Sequence, residues 1–306
     1  MLRSLILAAA GNGTVKNVVA GAPVSRNVVR RFVAGESVED AVRVTAALVG
    51  DGLAVSLDHL GEDTTDAARA RATGQAYLAM LERLAADGLT PAAEVSLKLS
   101  AVGQAVDEAL ALGIATEVCA AAVAADTTVT LDMEDHTTTD STLGILRQLR
   151  EDFPTTGAVL QSYLRRTEAD CQDLAVAGSR VRLCKGAYAE PASVAFQETG
   201  DVDRSYVRCV NVLLAGAGYP MFATHDPRLV EIVGERALWH GRDRDSFEYQ
   251  MLFGIRPEEQ KRLAAAGHTM RVYLPYGSEW FGYLMRRMAE RPANVTFFLR
   301  ALATTS

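Results

Sequence analysis

Short runs rich in β-branched residues alternate with longer Ala-rich stretches of helical periodicity from residue 53 onward, and this alternation constrains the fold more than any other feature. The candidate strands are LAVSLDHL (53–60), EVSLKLS (94–100), TVTLDME (128–134), GAVLQSYL (157–164), RVRLCKG (180–186), PMFATHD (220–226), FEYQMLF (247–253) and MRVYLPY (270–276). Strands separated by helices pair in parallel through right-handed crossovers. The sequence therefore predicts an α/β fold, either a closed (β/α)8 barrel of the TIM type or an open doubly wound sheet, and we favour the barrel.

The chain has 306 residues, a length within the range of a single (β/α)8 domain. No repeat of fixed period, low-complexity stretch or linker divides it. Residues 1–50 have helical patterns, and Ser37 with Glu39 predicts the start of a helix that ends near Gly50. We therefore expect an N-terminal helical extension at 1–50 that packs on a barrel at 51–306.

Composition excludes several classes of function. The net charge of −7 argues against nucleic acid as a partner. The apolar run at 5–10 is too short to span a bilayer, so we interpret it as a packed helix. Neither the histidines nor the cysteines have metal-ligand spacing, so no metal is expected. The cysteines are far apart and favour a reduced, cytoplasmic setting; they are Cys119, Cys171, Cys184 and Cys209.

The two faces of the candidate strands differ in polarity. In EVSLKLS, Val95 and Leu97 share one face, whereas Ser96 and Lys98 share the other. In a barrel the apolar face meets the helices and the other face points inward. The predicted interior holds Lys98, Asp132, Glu134, Gln161, Arg182, Glu248, Gln250, Arg271 and Tyr273. Burying so many polar groups is costly unless they pair or bind a ligand. Ion pairs would explain some of them, but most lie toward the strand C-termini, where barrel enzymes carry their sites.

Common catalytic and nucleotide-binding templates are absent. GNG at 11–13 lacks a third glycine and a preceding strand, and there is no P-loop, HExxH or GxSxG. Gly186 follows Lys185 at the end of a strand, where it serves either a structural turn or the approach of backbone N–H groups to a phosphate. Thr224 and His225 end another strand, and His225 is either a core histidine or a donor to a cofactor.

The last strand leads into a helix that carries an arginine pair. Ser278 can cap this helix and Glu279 suits its positive end. Apolar residues then recur at helical spacing from Trp280 onward. Arg286 and Arg287 near its end are either solvated cations at a helix C-terminus or a clamp for a carboxylate, because each guanidinium offers a bidentate fork.

Seven blocks of the chain together resemble proline dehydrogenase in its monofunctional bacterial form. They are SLKLS, LDMED, LQSYLRR, VRLCKGAYAEP, ATHD, FEYQMLFGIR and RVYLPYGSEWFGYLMRRMAE, in the family's order over roughly residues 53–300. The resemblance implies a distorted (β/α)8 barrel that holds FAD non-covalently at the strand C-termini. It also implies oxidation of L-proline to Δ1-pyrroline-5-carboxylate, with electrons passed to a membrane quinone.

The resemblance also implies roles for individual residues. Those expected around proline are Lys98, Asp132, Tyr273, Arg286 and Arg287, with Ala187, Tyr188 and Leu252 lining the site. Those expected to contact the flavin cofactor are Met133, Gln161, Arg182, Cys184, Lys185, Gly186, Thr224 and His225. Cys184 departs from the small aliphatic residue that is more usual in the family, which changes little if the contact is made by backbone.

The residues themselves suit this chemistry. A zwitterionic amino acid needs cations for its carboxylate, which Arg286, Arg287 and Lys98 provide. Asp132 can orient Lys98 and balance its charge, and Arg182 is suited to stabilise charge on a reduced flavin. Oxidation requires the neutral amine, and we hypothesise that the nearby cations lower the pKa of proline's nitrogen.

Two other functions stay open at this point. One is a Schiff-base lyase or aldolase on a barrel, using Lys98 or Lys185 in a desolvated setting. The other is a non-catalytic binding protein that has kept the barrel. A quinone dissolved in the membrane would require contact with the bilayer, which leaves open a cytoplasmic protein that associates peripherally with the inner face of the cell membrane.

Overall fold

The computed structural model describes residues 29–290, with side chains through residue 285. Its centre is a closed sheet of eight parallel strands in sequence order. The strands are β1 (Ala54–His59), β2 (Ala93–Leu97), β3 (Val129–Leu131), β4 (Gly157–Gln161), β5 (Arg180–Cys184), β6 (Tyr219–Ala223), β7 (Glu248–Leu252) and β8 (Thr269–Tyr276). Closure is made by β8 and β1, which pair in register from Ala54 with Arg271 to His59 with Tyr276. This pairing confirms the predicted barrel and rules out the open sheet.

Nine α-helices accompany the strands between Val38 and Glu290. They are α1 (Val38–Gly50), α2 (Ala67–Ala86), α3 (Glu108–Ala124), α4 (Thr139–Asp152), α5 (Thr167–Leu174), α6 (Thr199–Ala215), α7 (Pro227–Trp239), α8 (Pro257–Ala265) and α9 (Trp280–Glu290). Each strand is followed by a helix, and α1 precedes the first strand. None of the helices within residues 29–290 is both long and apolar enough to cross a membrane.

The predicted division of strand faces is confirmed. Val95 and Leu97 are fully buried in the main core between the strands and the helices. Tyr249 also faces outward, since its hydroxyl donates to the backbone oxygen of Val230 in α7. Burying one large apolar side chain contributes about 1.5–3 kcal/mol, so this outer layer stabilises the barrel and leaves the interior to polar groups.

The described part of the N-terminal extension is not a continuous helix. Residues 29–32 are helical and 33–36 are not. Ser37 begins α1 as predicted, accepting a hydrogen bond from the Asp40 backbone N–H at 3.2 Å. The apolar run and the GNG motif lie among residues 1–28, outside the described residues.

The chain before α1 crosses the end of the barrel where the strands finish. The Ala34 backbone N–H donates to the Pro275 oxygen at 2.9 Å, and Gly277 donates to the Gly35 oxygen at 2.9 Å. Gly254 has a φ of +74°, and a Cβ there would lie 1.8 Å from the Arg31 backbone oxygen. The segment therefore lies closely against the turns that follow β7 and β8.

Candidate active site

The barrel interior contains two polar layers, and the first lies near the strand N-termini. Fully buried Glu94 accepts a hydrogen bond from Arg180 at 2.6 Å. Arg271 Nε donates to Glu248 at 2.7 Å. Burial alone would raise the pKa of Glu94, but the neighbouring guanidinium groups, led by Arg180, hold it well below its usual range. These groups satisfy one another, so Glu248 and Arg271 belong to an internal ion-pair network.

The second layer lies at the C-terminal ends of the strands and centres on Asp132. Its carboxylate accepts hydrogen bonds from Arg182 Nη1 at 2.8 Å and from the Ser96 hydroxyl at 2.8 Å. The Tyr273 hydroxyl donates to the other oxygen at 2.6 Å. Burial opposes ionisation, but Lys98 and Arg182 lower the pKa of Asp132 below its usual value. Asp132 is therefore a buried carboxylate held by residues of three strands, β2, β5 and β8.

Lys98 follows the last residue of β2 and lies between two carboxylates. Its Nζ is 2.5 Å from Asp58 Oδ1 and 3.5 Å from Asp132 Oδ2, and it donates to the Tyr273 hydroxyl at 3.3 Å. Burial would lower the pKa of Lys98, but Asp58 and Asp132 raise it above its usual value. The Lys98 side chain consequently stays protonated, and these three partners fix the position of its ammonium group.

Arg182 on β5 lies beneath Tyr273 and joins strands across the barrel. Its guanidinium carbon lies 5.3 Å from the centre of the Tyr273 ring. Besides Asp132, it donates from Nε to Gln250 at 2.5 Å and from Nη2 to Ser56 at 3.0 Å. The guanidinium is almost fully buried, so its charge acts on the mouth of the barrel through a medium that screens it weakly.

Glu134 and Gln161 connect the ends of neighbouring strands. The Glu134 carboxyl accepts from Ser100 through its backbone N–H at 3.2 Å and its hydroxyl at 2.6 Å. Gln161 Nε2 donates to the Glu134 backbone oxygen at 2.6 Å. Burial raises the pKa of Glu134 to about 7, so this carboxyl changes its charge near neutrality.

Polar side chains suited to a flavin cofactor occur at three consecutive strand ends, β4 to β6. Lys185 follows β5, keeps 31% of its side chain exposed and lies 2.6 Å from Asp203. Thr224 is the first residue after β6 and provides a hydroxyl. His225 Nε2 accepts from the Leu252 backbone N–H at 2.9 Å, which leaves the ring proton on Nδ1. An ammonium, a hydroxyl, an imidazole N–H and the Gln161 amide form a donor set that fits the carbonyls and phosphates of a flavin nucleotide.

The remaining predicted cofactor residues lie at the ends of β3 and β5. Met133 is buried beside Asp132 in sequence. Burial raises the pKa of the Cys184 thiol to about 12, and its Sγ lies 3.5 Å from the Leu160 backbone oxygen. Gly186 has a φ of +106°, and a Cβ there would lie 2.3 Å from the Tyr163 ring. The close packing of Tyr163 thus explains the glycine by itself, without a bound phosphate.

The residues predicted to line the substrate region divide into two groups. Ala187 follows β5 and Leu252 ends β7, and both are partly exposed at the same end of the barrel. Arg286 and Arg287 lie in α9, but their side chains are outside the described residues. The structure therefore brings together Lys98, Asp132, Arg182 and Tyr273, while the arginine clamp stays a prediction.

The sequence interpretation missed a site residue and several residues that support it. Asp58 is the closest partner of Lys98, Ser56 accepts from Arg182, and Glu94 anchors the lower layer. Ser96 was placed on the inward face, but its bond to Arg182 was not foreseen. In SLDH, Ser56 and Asp58 alternate with apolar neighbours, so strand parity was a signal that would have placed both inside. Glu94 also shares the parity of Ser96 and Lys98.

The chain is similar in sequence to known proteins over most of its length. A family model described as Proline dehydrogenase matches residues 41–300. "Proline dehydrogenase" of Deinococcus radiodurans is 43% identical over 281 residues, covering 90% of each chain. "Proline dehydrogenase 1" of Bacillus subtilis strain 168 is 38% identical over 302 residues, covering 99% of each.

Solved structures share the fold. Proline utilization A (PutA) from Bdellovibrio bacteriovorus, inactivated by N-propargylglycine, superimposes with a TM-score of 0.80 at 24% identity. The match covers 86% of this chain and 32% of that one. At this identity the likeness establishes the barrel architecture alone.

Proposed function

The chain belongs to the proline dehydrogenase family and oxidises proline in the first step of proline catabolism, and from this premise we propose its cofactor, electron acceptor and site residues. The substrate is L-proline and the product Δ1-pyrroline-5-carboxylate. The family implies a flavin, and the proposed flavin is FAD. The proposed acceptor is a quinone dissolved in the membrane, reached by a protein that associates peripherally with the inner face of the cell membrane from the cytoplasm.

The observation that carries the proposal is the second polar layer at the strand C-termini. Its ionised groups balance, with Lys98 and Arg182 against Asp58 and Asp132. A substrate carboxylate adds a negative charge that this layer does not neutralise. The proposed clamp of Arg286 and Arg287 supplies the positive charge that neutralises it, because an Arg–carboxylate pair is both strong and directional.

Lys98 and Tyr273 orient the substrate in this proposal. The ammonium of Lys98 has three donors, and Asp58 and Asp132 fix where the group lies. The Tyr273 hydroxyl donates a hydrogen bond to Asp132 and accepts one from Lys98, and the tyrosine ring lies against the Arg182 guanidinium. Ala187 and Leu252 line the region beside them.

The proposed cofactor site is formed by residues of β5 and by residues at the ends of β3 to β6. They are Met133, Gln161, Arg182, Cys184, Lys185, Gly186, Thr224 and His225. A bound flavin would accept the hydride that leaves the carbon beside nitrogen, while the nitrogen lone pair forms the C=N bond and the amine proton is released. Arg182 contributes a buried positive charge that favours the reduced, anionic form.

Amine oxidation needs the neutral nitrogen, and the site sets its protonation. Nearby cations lower the pKa of the substrate's ammonium, whereas carboxylates raise it. Asp58 and Asp132 offset Lys98 and Arg182, so in this proposal the lowering comes from the arginine pair. The pH profile of kcat/KM then contains an ionisation below that of free proline's amine; its absence would count against the idea.

The Schiff-base alternative is disfavoured by the environment of Lys98. An imine-forming lysine must be neutral to attack a carbonyl. Two carboxylates raise the pKa of Lys98 instead, and Lys185 is paired with Asp203 and Asp226. A binding protein without activity also has little reason to keep a buried Asp132 with four polar partners.

The deciding experiment is an absorbance spectrum of the purified protein before and after anaerobic addition of L-proline. We expect a flavin spectrum that bleaches with proline and returns when a soluble quinone is added. D-Proline serves as the control for stereochemistry. A colourless protein that gains no proline-dependent dye reduction when FAD is supplied would contradict the proposal, and borohydride trapping with a carbonyl compound would favour the lyase.

A further inference from the structure

The helix that carries the arginine pair is held apart from the main core. Of the described side chains of α9, none belongs to the apolar core around the barrel. They form a separate cluster with the chain that precedes α1; its members are Phe32, Val33, Leu60, Trp280, Phe281, Tyr283, Leu284 and Met285. The position of α9 therefore depends on residues 29–36, far away in sequence.

One polar contact fixes this packing. Trp280, the first residue of α9, is only 7% exposed, and its indole N–H donates to Glu36 Oε1 at 2.9 Å. The backbone contacts of Ala34 with Pro275 and of Gly277 with Gly35 flank this bond on the turn from β8 to α9. Packing alone leaves a helix free to slide by small amounts, whereas a hydrogen bond to a buried indole selects one position.

Loss of this bond has a predictable consequence. A buried N–H without an acceptor is costly, so the indole regains a partner only by moving toward water. Trp280 begins the helix, and Arg286 and Arg287 follow within two turns of it. Movement of the first turn therefore displaces the arginine pair as well.

We propose that residues 29–36 belong to the substrate-binding apparatus and that Glu36 and Trp280 are positioning residues, because their hydrogen bond sets where α9 presents Arg286 and Arg287 to the substrate carboxylate. This inference rests on the proposed role of the arginine pair. It assigns the N-terminal extension a function in substrate affinity, beyond packing on the barrel.

The test compares Glu36→Ala and Trp280→Phe with Glu36→Gln. Glu36→Gln keeps a side-chain oxygen that can accept the indole proton, and Trp280→Phe keeps an aromatic ring without the donor. We expect Glu36→Ala and Trp280→Phe to raise the KM for proline about five- to tenfold, because displacement of α9 weakens but does not remove the arginine contacts to the carboxylate, with kcat within about twofold. We expect Glu36→Gln to stay within about twofold of wild type in both constants, because it retains the bond.

The chain offers a matched control and a spectroscopic signal. It contains two tryptophans, and Trp239 is 72% exposed at the end of α7 and belongs to neither the main core nor the cluster that contains Trp280. Trp239→Phe should leave the KM unchanged and makes Trp280 the sole tryptophan. In that background Glu36→Ala should shift the emission maximum to longer wavelength, because the indole gains water, and Glu36→Gln should not.

The outcomes separate this inference from the proposed function. If proline reduces the wild-type flavin but the KM of Glu36→Ala and Trp280→Phe equals that of wild type, the inference is wrong and the function stands. An equal rise in KM for Glu36→Gln and Glu36→Ala would also overturn it, because the hydrogen bond would not be the cause. If wild type gives no reaction with proline, the function itself fails. Should Glu36→Ala not fold, Trp280→Phe decides the matter alone.

Discussion

The ammonium of Lys98 lies closer to Asp58 than to Asp132, at 2.5 Å against 3.5 Å. Asp58 is 1% exposed, and its carboxylate is the nearer partner of the Lys98 ammonium. Asp58 and Asp132 therefore have different partners. Asp58 fixes the charge and direction of Lys98, which leaves Asp132 to Arg182, Ser96 and Tyr273.

Asp58→Asn should weaken proline binding and alter its pH dependence. The amide removes a charge-assisted contact worth about 1.5–3 kcal/mol, or roughly tenfold to hundredfold in kcat/KM. Asp58 raises the pKa of Lys98, so its removal should move the basic limb of the kcat/KM profile to lower pH. Asp87→Asn, which removes a carboxylate from an exposed pair with Arg83, is the control. A basic limb at the wild-type position would show that Asp58 does not govern Lys98.

Replacing either arginine of α9 should raise the KM for proline. Arg286→Met and Arg287→Met each remove a charge-assisted contact to the carboxylate, with a cost of about 1.5–3 kcal/mol. The KM should rise correspondingly, while the flavin content at purification stays at the wild-type level. Steady-state kinetics with a dye acceptor measure this. A wild-type KM in both variants would dismiss the clamp.

Arg182→Met should shift the flavin reduction potential downward. The guanidinium is buried beneath Tyr273, where a positive charge favours an anionic reduced flavin. A loss of about 1.4–3 kcal/mol corresponds to roughly 30–60 mV for a two-electron couple. Arg182→Lys, which keeps the charge, should shift the potential less. Spectroelectrochemical titration provides the comparison, and equal potentials for wild type and Arg182→Met would remove the electrostatic role.

Strand periodicity was sufficient to predict the barrel and the inward direction of its polar residues. Lys98, Asp132 and Arg182 could be placed inside because alternation has a period of two and a fixed sense in each strand. The side-chain contacts among these inward residues could not be derived, because contacts across the barrel depend on strand stagger and side-chain length. Lys98 was accordingly matched with Asp132, although Asp58 is nearer.

Contacts between segments that are far apart in the chain could not be predicted from the sequence. The bond between Trp280 and Glu36 spans 244 positions, and no local pattern at either residue indicates the other. The interruption of the N-terminal helices at 33–36 was missed for the same reason. Helical propensity is a weak prior that tertiary contacts override, and here the backbone of Ala34 and Gly35 pairs with the turn after β8.

Glu134→Gln should change how stability depends on pH. Burial raises the pKa of this carboxyl from 4.5 to about 7, so the folded state holds its proton more tightly than the unfolded state does. The folded protein therefore loses stability as pH rises from about 4.5 to about 7, by at most about 3 kcal/mol at 1.36 kcal/mol per unit. The amide keeps an oxygen that accepts from Ser100 and has no proton to lose.

The difference in free energy of unfolding between wild type and Glu134→Gln should consequently depend on pH. Relative to wild type, the variant should gain stability between pH 5 and pH 8, and denaturant titrations at the two values measure the difference. Glu82→Gln, on the exposed side of α2, controls for the loss of one negative charge. A difference between wild type and Glu134→Gln that is the same at both pH values would mean that Glu134 titrates in the folded protein as it does in the unfolded chain. Burial against Ser100 would then have too little effect to hold the proton.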